Sequence, residues 1–169
     1  MALTSATGRT QTVGAAILAA GMAVTVGTAL GFQHIGGYIP CKLCLEQRVP
    51  YYIGIPVMLL ALASSVLRLP PVATRGLLLI GALLMSWGAS LGVYHSGAEW
   101  GFWPGPTDCG AVPAPTGGSG SLLDQLNAVI PPSCDQAAGR FLGLSFAGWN
   151  VVASVILAVI AYVAAFRKD

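Results

Sequence analysis

Charge is scarce in this chain. The 169 residues include eight basic and six acidic side chains, so 8% of the residues are charged. A soluble domain carries about 25%. With 55% hydrophobic residues, the chain cannot cover a surface that faces water. A net charge of +2 and the lack of a basic stripe also argue against a nucleic-acid partner. We therefore expect the lipid bilayer to be the main solvent of this protein.

Uncharged runs long enough to cross a membrane occur four times, at 13–32, 49–67, 76–94 and 146–166. Each holds about 20 residues, and a helix of that length spans a hydrocarbon core of about 30 Å. Backbone groups in lipid must pair within the segment, so these runs are helices. The first run is longer than the hydrophobic part of a signal peptide, about 7–15 residues, and we expect it to be retained. The sequence predicts an all-α integral membrane protein, one four-helix domain over 1–169.

Basic residues are distributed unevenly about these runs. The side with both termini and the middle connection carries Arg9, Arg68, Arg75, Arg167 and Lys168. The other side carries Lys42, Arg48 and Arg140 together with Glu46, Glu99, Asp108, Asp124 and Asp135. The positive-inside rule then predicts cytoplasmic termini, with loops 33–48 and 95–145 on the outer side.

The second outer loop is long and rich in glycine and proline. Between Ser121 and Pro131, apolar residues recur at helical spacing, which predicts a short amphipathic helix that lies either on the membrane surface or against the bundle. Within the spans, the pairs Gly27/Gly31 and Gly88/Gly92 indicate close helix contacts.

All four cysteines lie in the outer loops, which is typical of an oxidising compartment such as the periplasm. Cys41 and Cys44 form a Cys-x-x-Cys motif just before the second span, whereas Cys109 and Cys134 lie in the long loop. Four cysteines permit three pairings, and the residues alone do not choose among them.

Three roles for these cysteines have to be weighed. Structural disulfides would suit a membrane scaffold or a transporter subunit, but a two-residue spacer closes almost no chain and restrains little entropy. A zinc site would need a second close pair of ligands, whereas His34 and His95 are scattered. Redox activity is favoured because Cys44 lies near a helix N-terminus and Arg48, both of which stabilise a thiolate.

Arg48 and His95, at this membrane face, admit two interpretations each, and Tyr51 admits one. Arg48 is either an arginine that reaches the lipid headgroups or a fixed cation one helical turn after Cys44. His95, at the end of the third span, is either an interfacial polar residue or a proton donor. Tyr51 is expected in the aromatic belt at the interface.

The whole arrangement resembles the DsbB family of disulfide-forming membrane proteins. The matching segments are Phe32-Gln33-His34, Pro40-Cys41-Lys42-Leu43-Cys44 followed by Arg48, the pair Cys109 and Cys134, Phe141-Leu142-Gly143-Leu144, and the run from Tyr94 to Trp103. Enzymes of the vitamin K epoxide reductase type also couple cysteines to quinones. Their Cys-x-x-Cys comes late in the chain and inside a span, and this chain has the reverse order.

The resemblance implies a quinone-dependent thiol oxidase of the bacterial inner membrane. A reduced periplasmic partner of the DsbA type, with a thioredoxin fold, attacks the Cys109–Cys134 disulfide through Cys109. The electrons then pass to Cys41 and Cys44, and Cys44 reduces a quinone, for which we expect ubiquinone ahead of menaquinone. Arg48, Cys44 and His95 are the implied quinone-binding residues.

Overall fold

The computed structural model describes residues 4–106 and 134–168. Five helices and one hairpin make up these residues. The helices are α1 (Arg9–His34), α2 (Lys42–Glu46), α3 (Val49–Val66), α4 (Pro71–Glu99) and α5 (Phe146–Phe166), and the hairpin pairs β1 (Arg140–Phe141) with β2 (Leu144–Ser145). The surface helix predicted between Ser121 and Pro131 lies outside the described residues.

The four long helices form a bundle of the predicted class. α4 shares its largest interface with α5 and also packs against α3, while α1 packs against α3 and α5. Within residues 4–106 and 134–168, four helical segments are long and apolar enough to cross a membrane, and only 33–39% of the residues in the most apolar part of each are buried. Most of this apolar surface faces outward, so a bilayer is the solvent that fits the bundle.

Many of the buried side chains in the bundle interior are small, whereas many branched aliphatic side chains face outward. Ala15, Ala61 and Ala82 are fully buried, while Leu60 and Leu83 are more than half exposed. Because lipid is as apolar as leucine, helices in membranes associate through close packing of small residues. The distribution is therefore that of a membrane protein.

Arg75 differs from the sequence prediction, which placed it in the connection between two spans. It lies inside α4, with no exposed surface. Its guanidinium donates to the carbonyls of Ala165 and Arg167 at 2.8 Å each, and to those of Ser5 and Ala6. The last carbonyls of a helix lack intrahelical partners and attract cations. Arg75 thus ties both chain ends to the bundle.

The hairpin before α5 is closed by two residues with positive φ, Leu142 at 51° and Gly143 at 84°. Two such residues are the signature of a tight hairpin turn. Ser145 then caps α5 by accepting the N–H of Gly148, and the indole of Trp149 donates to the Phe141 carbonyl at 2.9 Å. These bonds fix where α5 begins.

The two glycine pairs have different surroundings. A β-carbon on Gly92 would lie 2.8 Å from Val151 Cγ2 and 3.3 Å from its backbone nitrogen, whereas nothing lies within 4 Å of one on Gly27 or Gly31. The expectation of close contact is confirmed for Gly92, in the α4–α5 interface, and is wrong for Gly27/Gly31.

Gly92→Ala should therefore destabilise the protein, since overpacking a well-filled interface costs about 1–3 kcal/mol. Gly27→Ala is the matched control, because its added methyl group meets open space. Thermal unfolding in detergent should show a lower Tm for Gly92→Ala alone. Equal Tm values for the two variants would contradict the close packing of α4 on α5.

Candidate functional site

Cys41 and Cys44 lie on the single turn of α2. Cys41 is the N-cap residue, with extended backbone at φ −76° and ψ 171°, and its sulfur accepts the Cys44 N–H at 3.3 Å. The two Sγ atoms are 2.8 Å apart, and both cysteines are free thiols. The two-residue spacer thus brings both sulfurs to one helix N-terminus, where a negative charge is stabilised.

Of the two sulfurs in this pair, the structure favours Cys41 as the thiolate. A hydrogen bond from the Cys44 thiol lowers the pKa of Cys41 from 9.0 to about 4, against the opposing effect of burial and with a further contribution from His95. Cys41 therefore carries the charge at neutral pH and loses it only as the pH falls towards 4. A thiolate was expected at Cys44 from the sequence; the structure favours Cys41, because Cys41 is the N-cap residue whose sulfur accepts the Cys44 N–H.

His95 lies against Cys41. Its side chain is 3% exposed, with Nε2 3.7 Å from Cys41 Sγ and Nδ1 2.6 Å from Gln47 Nε2. α4 continues for one more turn, to Glu99, so His95 does not end the helix as expected. The imidazole is enclosed between α2 and the Gln47 amide, in direct reach of a cysteine sulfur.

Behind His95, a line of polar side chains runs into the bundle. The Asn150 amide donates to Gln47 Oε1 at 2.7 Å, and the Tyr51 hydroxyl donates to Asn150 Oδ1 at 2.8 Å. Ser154 lies 2.7 Å from the same hydroxyl. Buried polar groups need such partners, and these hydrogen bonds join α3 and α5 to the residue between α2 and α3.

Sequence reasoning missed this network. Tyr51 was expected in the aromatic belt, but it is 2% exposed and lies in the core. The available signal was the presence of Asn150 and Ser154 in a span that is otherwise apolar, because polar residues within spans usually face the bundle interior.

Arg48 is half-buried and precedes α3 as its N-cap residue. A turn at Gln47 and Arg48, both in right-handed helical conformation, joins α2 to α3. The Arg48 guanidinium donates to Gln33 Oε1 at 2.5 Å. This bond fixes the cation against α1 and uses one of its five N–H donors.

Cys134 completes the cluster. It is 1% exposed and disulfide-bonded, and its Sγ lies within 4.8 Å of both Cys41 Sγ and a His95 ring nitrogen. Three such ligand atoms could hold a metal ion, but a sulfur already in a disulfide is not the thiolate that zinc binds. A thiolate beside a disulfide is instead the arrangement for thiol–disulfide exchange. Cys109 lies outside the described residues.

The fold and the site together define a class: a polytopic membrane protein in which two loops bring a free cysteine next to the buried sulfur of a disulfide-bonded one. A family model described as disulfide bond formation protein DsbB matches residues 11–164. The chain belongs to the DsbB family and is a disulfide bond formation protein of the membrane.

Individual relatives agree with the family model. The chain is 28% identical to disulfide bond formation protein B of Aromatoleum aromaticum, over 85% of each chain. It is 29% identical to the protein of that name from Methylococcus capsulatus, over 77% of this chain and 79% of the relative. It is also 29% identical to an uncharacterized protein of Rickettsia prowazekii, over 80% and 77%. No solved structure gives a significant match.

The charge on Cys41 should depend on the Cys44 side chain. A hydrogen bond to a charged group contributes about 1.5–3 kcal/mol, and one pKa unit corresponds to about 1.4 kcal/mol. Cys44→Ala should therefore raise the pKa of Cys41 by about one to two units. Cys44→Ser, which keeps a donor, should raise it less. Thiolate absorbance against pH, with the other cysteine pair oxidised, measures both, and identical curves would contradict the Cys44 donor.

Proposed function

We propose that this protein is a thiol:quinone oxidoreductase that reoxidises a periplasmic DsbA-like dithiol and passes the electrons to a membrane quinone. One observation carries the proposal: the Cys41 sulfur, whose pKa is lowered, lies within 4.8 Å of the disulfide-bonded Cys134 sulfur. A scaffold or transporter subunit with purely structural disulfides has no use for a stabilised thiolate beside a disulfide. With two of four cysteines free, pairing of Cys134 with Cys109 is the proposed resting disulfide.

The proposed relay begins at the long loop. A partner thiolate attacks Cys109, a partner–Cys109 disulfide forms, and Cys134 leaves as a thiolate. Cys134 next attacks Cys41 of the oxidised Cys41–Cys44 pair, so that a Cys134–Cys41 bond forms and Cys44 is released. The second partner thiol frees Cys109 and leaves the partner oxidised. Cys109 then attacks Cys134, which restores their disulfide and expels Cys41 as a thiolate.

The structure resembles the last state of the proposed relay. Cys134 is in a disulfide, while Cys41 and Cys44 are free and share a hydrogen bond. The expelled Cys41 thiolate has its donors in place, namely the Cys44 N–H and thiol and the His95 ring. Stabilisation of the leaving thiolate favours its expulsion. This supports the order proposed for the relay.

A quinone would accept two electrons and two protons. We propose ubiquinone as the first quinone to be tested. Cys44 suits the step of electron donation because it is half-buried, whereas Cys41 is 6% exposed. Arg48, held by Gln33, would offer its remaining N–H donors to a quinone oxygen. His95 lies beside Cys41, and we propose that it would contact a bound quinone from that position.

We place the single domain, 1–169, in the bacterial inner membrane with cytoplasmic termini and periplasmic loops 33–48 and 95–145. The exposed basic residues Arg68, Arg167 and Lys168 lie on the side of the termini, as the positive-inside rule requires. The cysteines lie on the other side, where an oxidising compartment would maintain a disulfide.

Removal of a resolving thiol should trap the partner. In Cys134→Ser, Cys109 has no neighbouring thiol to displace the partner, and a covalent complex through Cys109 should accumulate. Cys109→Ser should form no complex. Non-reducing gels probed for the DsbA-like partner measure both. Trapping through Cys41 or Cys44, with Cys109 dispensable, would refute the relay order, and no trapping by any variant would favour structural disulfides.

Arg48→Lys should impair quinone use and spare thiol exchange, because an ammonium group lacks the planar array of donors. We expect a raised apparent KM for quinone with normal oxidation of the partner. Arg140→Lys is the matched control, since Arg140 stacks 5.6 Å over Trp100 on the same membrane face. Quinone absorbance in steady-state assays reports the difference. Unchanged quinone kinetics would favour the alternative interpretation, in which Arg48 only reaches the lipid headgroups.

A further inference from the structure

Glu99 is a buried acid beside the cysteine cluster to which the relay assigns no role. It ends α4 one turn after His95, and its side chain is 4% exposed. Glu99 Oε1 lies 3.7 Å from His95 Nε2, and Oε2 is buried with no hydrogen-bond partner among the residues described. A buried carboxylate with one oxygen left without a partner is costly as a charge, and the Oε2 atom offers a place for a proton.

The hydrogen bonds around His95 assign the position of its proton. Asn150 donates to Gln47 Oε1, which leaves the Gln47 Nε2 amide group to donate to His95 Nδ1. Nδ1 is therefore the acceptor, and the ring N–H that faces Cys41 and Glu99 is on Nε2.

The donor atom, His95 Nε2, lies 3.7 Å from Cys41 Sγ and 3.7 Å from Glu99 Oε1. It can satisfy a thiolate or a carboxylate, but it cannot satisfy both at once. Two buried anions around one donor are unfavourable, because like charges at close range disfavour each other's ionised forms.

We propose that Glu99 is the proton carrier of the Cys41–Cys44 pair: it is protonated while Cys41 is a thiolate and ionised while Cys41 is in a disulfide. The His95 N–H turns from the sulfur to the carboxylate as the pair is oxidised. This inference rests on the proposed function and adds the residue that balances its protons.

The protons and charges of the redox reaction balance when Glu99 holds one proton in the reduced state. Reduction of the Cys41–Cys44 disulfide by a dithiol brings two electrons and two protons, which leave Cys41 as a thiolate, Cys44 as a thiol and Glu99 as a neutral acid. Oxidation by a quinone removes two electrons, re-forms the S–S bond and releases one proton from Cys44 and one from Glu99. These are the two protons that a hydroquinone needs, and the charge of the site stays constant.

Other ionisable groups on the surrounding elements are Lys42 and Glu46 on α2, Arg48 at the start of α3, and Asp135 and Arg140 ahead of α5. Arg48 is directed to Gln33 and Arg140 to the Trp100 ring. Glu99 instead pairs with His95, which connects it to the redox state of Cys41.

Infrared difference spectra of the purified full-length protein, reduced electrochemically without partner or quinone, test the carrier directly. Reduction should produce the C=O stretch of a protonated carboxyl group. This band should be absent in Glu99→Gln, shifted in Glu99→Asp and unchanged in Glu46→Gln, the matched control on α2. No band in the wild type, or the same band in Glu99→Gln, would overturn the proposal.

A kinetic split gives the second readout. Glu99→Gln should still exchange with the DsbA-like partner, but its quinone reduction should fall by about 10²-fold or more, the usual contribution of a positioned acid. Glu99→Asp should recover part of that loss. Equal quinone reduction by the wild type and Glu99→Gln would refute the carrier role.

The two proposals can fail separately. A wild-type protein that shows the band but reduces no quinone would refute the proposed function and leave the proton coupling of the cysteine pair supported. Quinone reduction without the band would refute the carrier alone. A Glu99→Gln variant that keeps the wild-type Tm confirms that loss of the band reflects the missing carboxyl group.

Discussion

A charged sulfur buried at the end of an apolar bundle is the constraint on which the site depends. The Cys41 thiolate is 6% exposed, so the protein must supply the donors that water would have supplied. The first turn of α2 provides the Cys44 N–H, which donates to the sulfur, and the Cys44 thiol, whose hydrogen bond lowers the pKa of Cys41, and α4 provides His95. His95 must in turn be oriented, and Gln47 and Asn150 hold it. One charge therefore ties together α2, α4 and α5.

The same constraint explains why α4 and α5 approach so closely. A β-carbon on Gly88 would lie 3.2 Å from Ser154 Oγ, and one on Gly92 would lie 3.2 Å from Asn150 Nδ2. These glycines do more than allow two helices to touch, as small residues in spans generally do. They leave the volume in which α5 presents its polar side chains to Tyr51 and Gln47. Close packing and the polar network are thus one feature of the α4–α5 interface.

Hydropathy was enough to place the four spans, because lipid imposes length and apolarity on each helix separately. The last span, Phe146–Phe166, was predicted to the residue. The site was harder, because its bonds join residues about 50 to 100 positions apart, such as Gln47 with His95 and with Asn150. The choice between Cys41 and Cys44 as the thiolate depended on which residue caps α2, and helix ends are uncertain by a residue or two from sequence.

The position of the thiolate also gives the proposed relay a direction. A dithiol whose reduced form is stabilised is the stronger oxidant, since stabilisation of the thiolate draws electrons to that pair. Cys41 receives its stabilisation only as a free thiolate, from the Cys44 thiol and from His95. Cys134, by contrast, is in a disulfide within 4.8 Å of that thiolate. Electrons entering at the long loop would therefore move towards Cys41 and Cys44. A proton taken up by Glu99 would strengthen that direction, because it removes the carboxylate that competes with Cys41 for the His95 N–H.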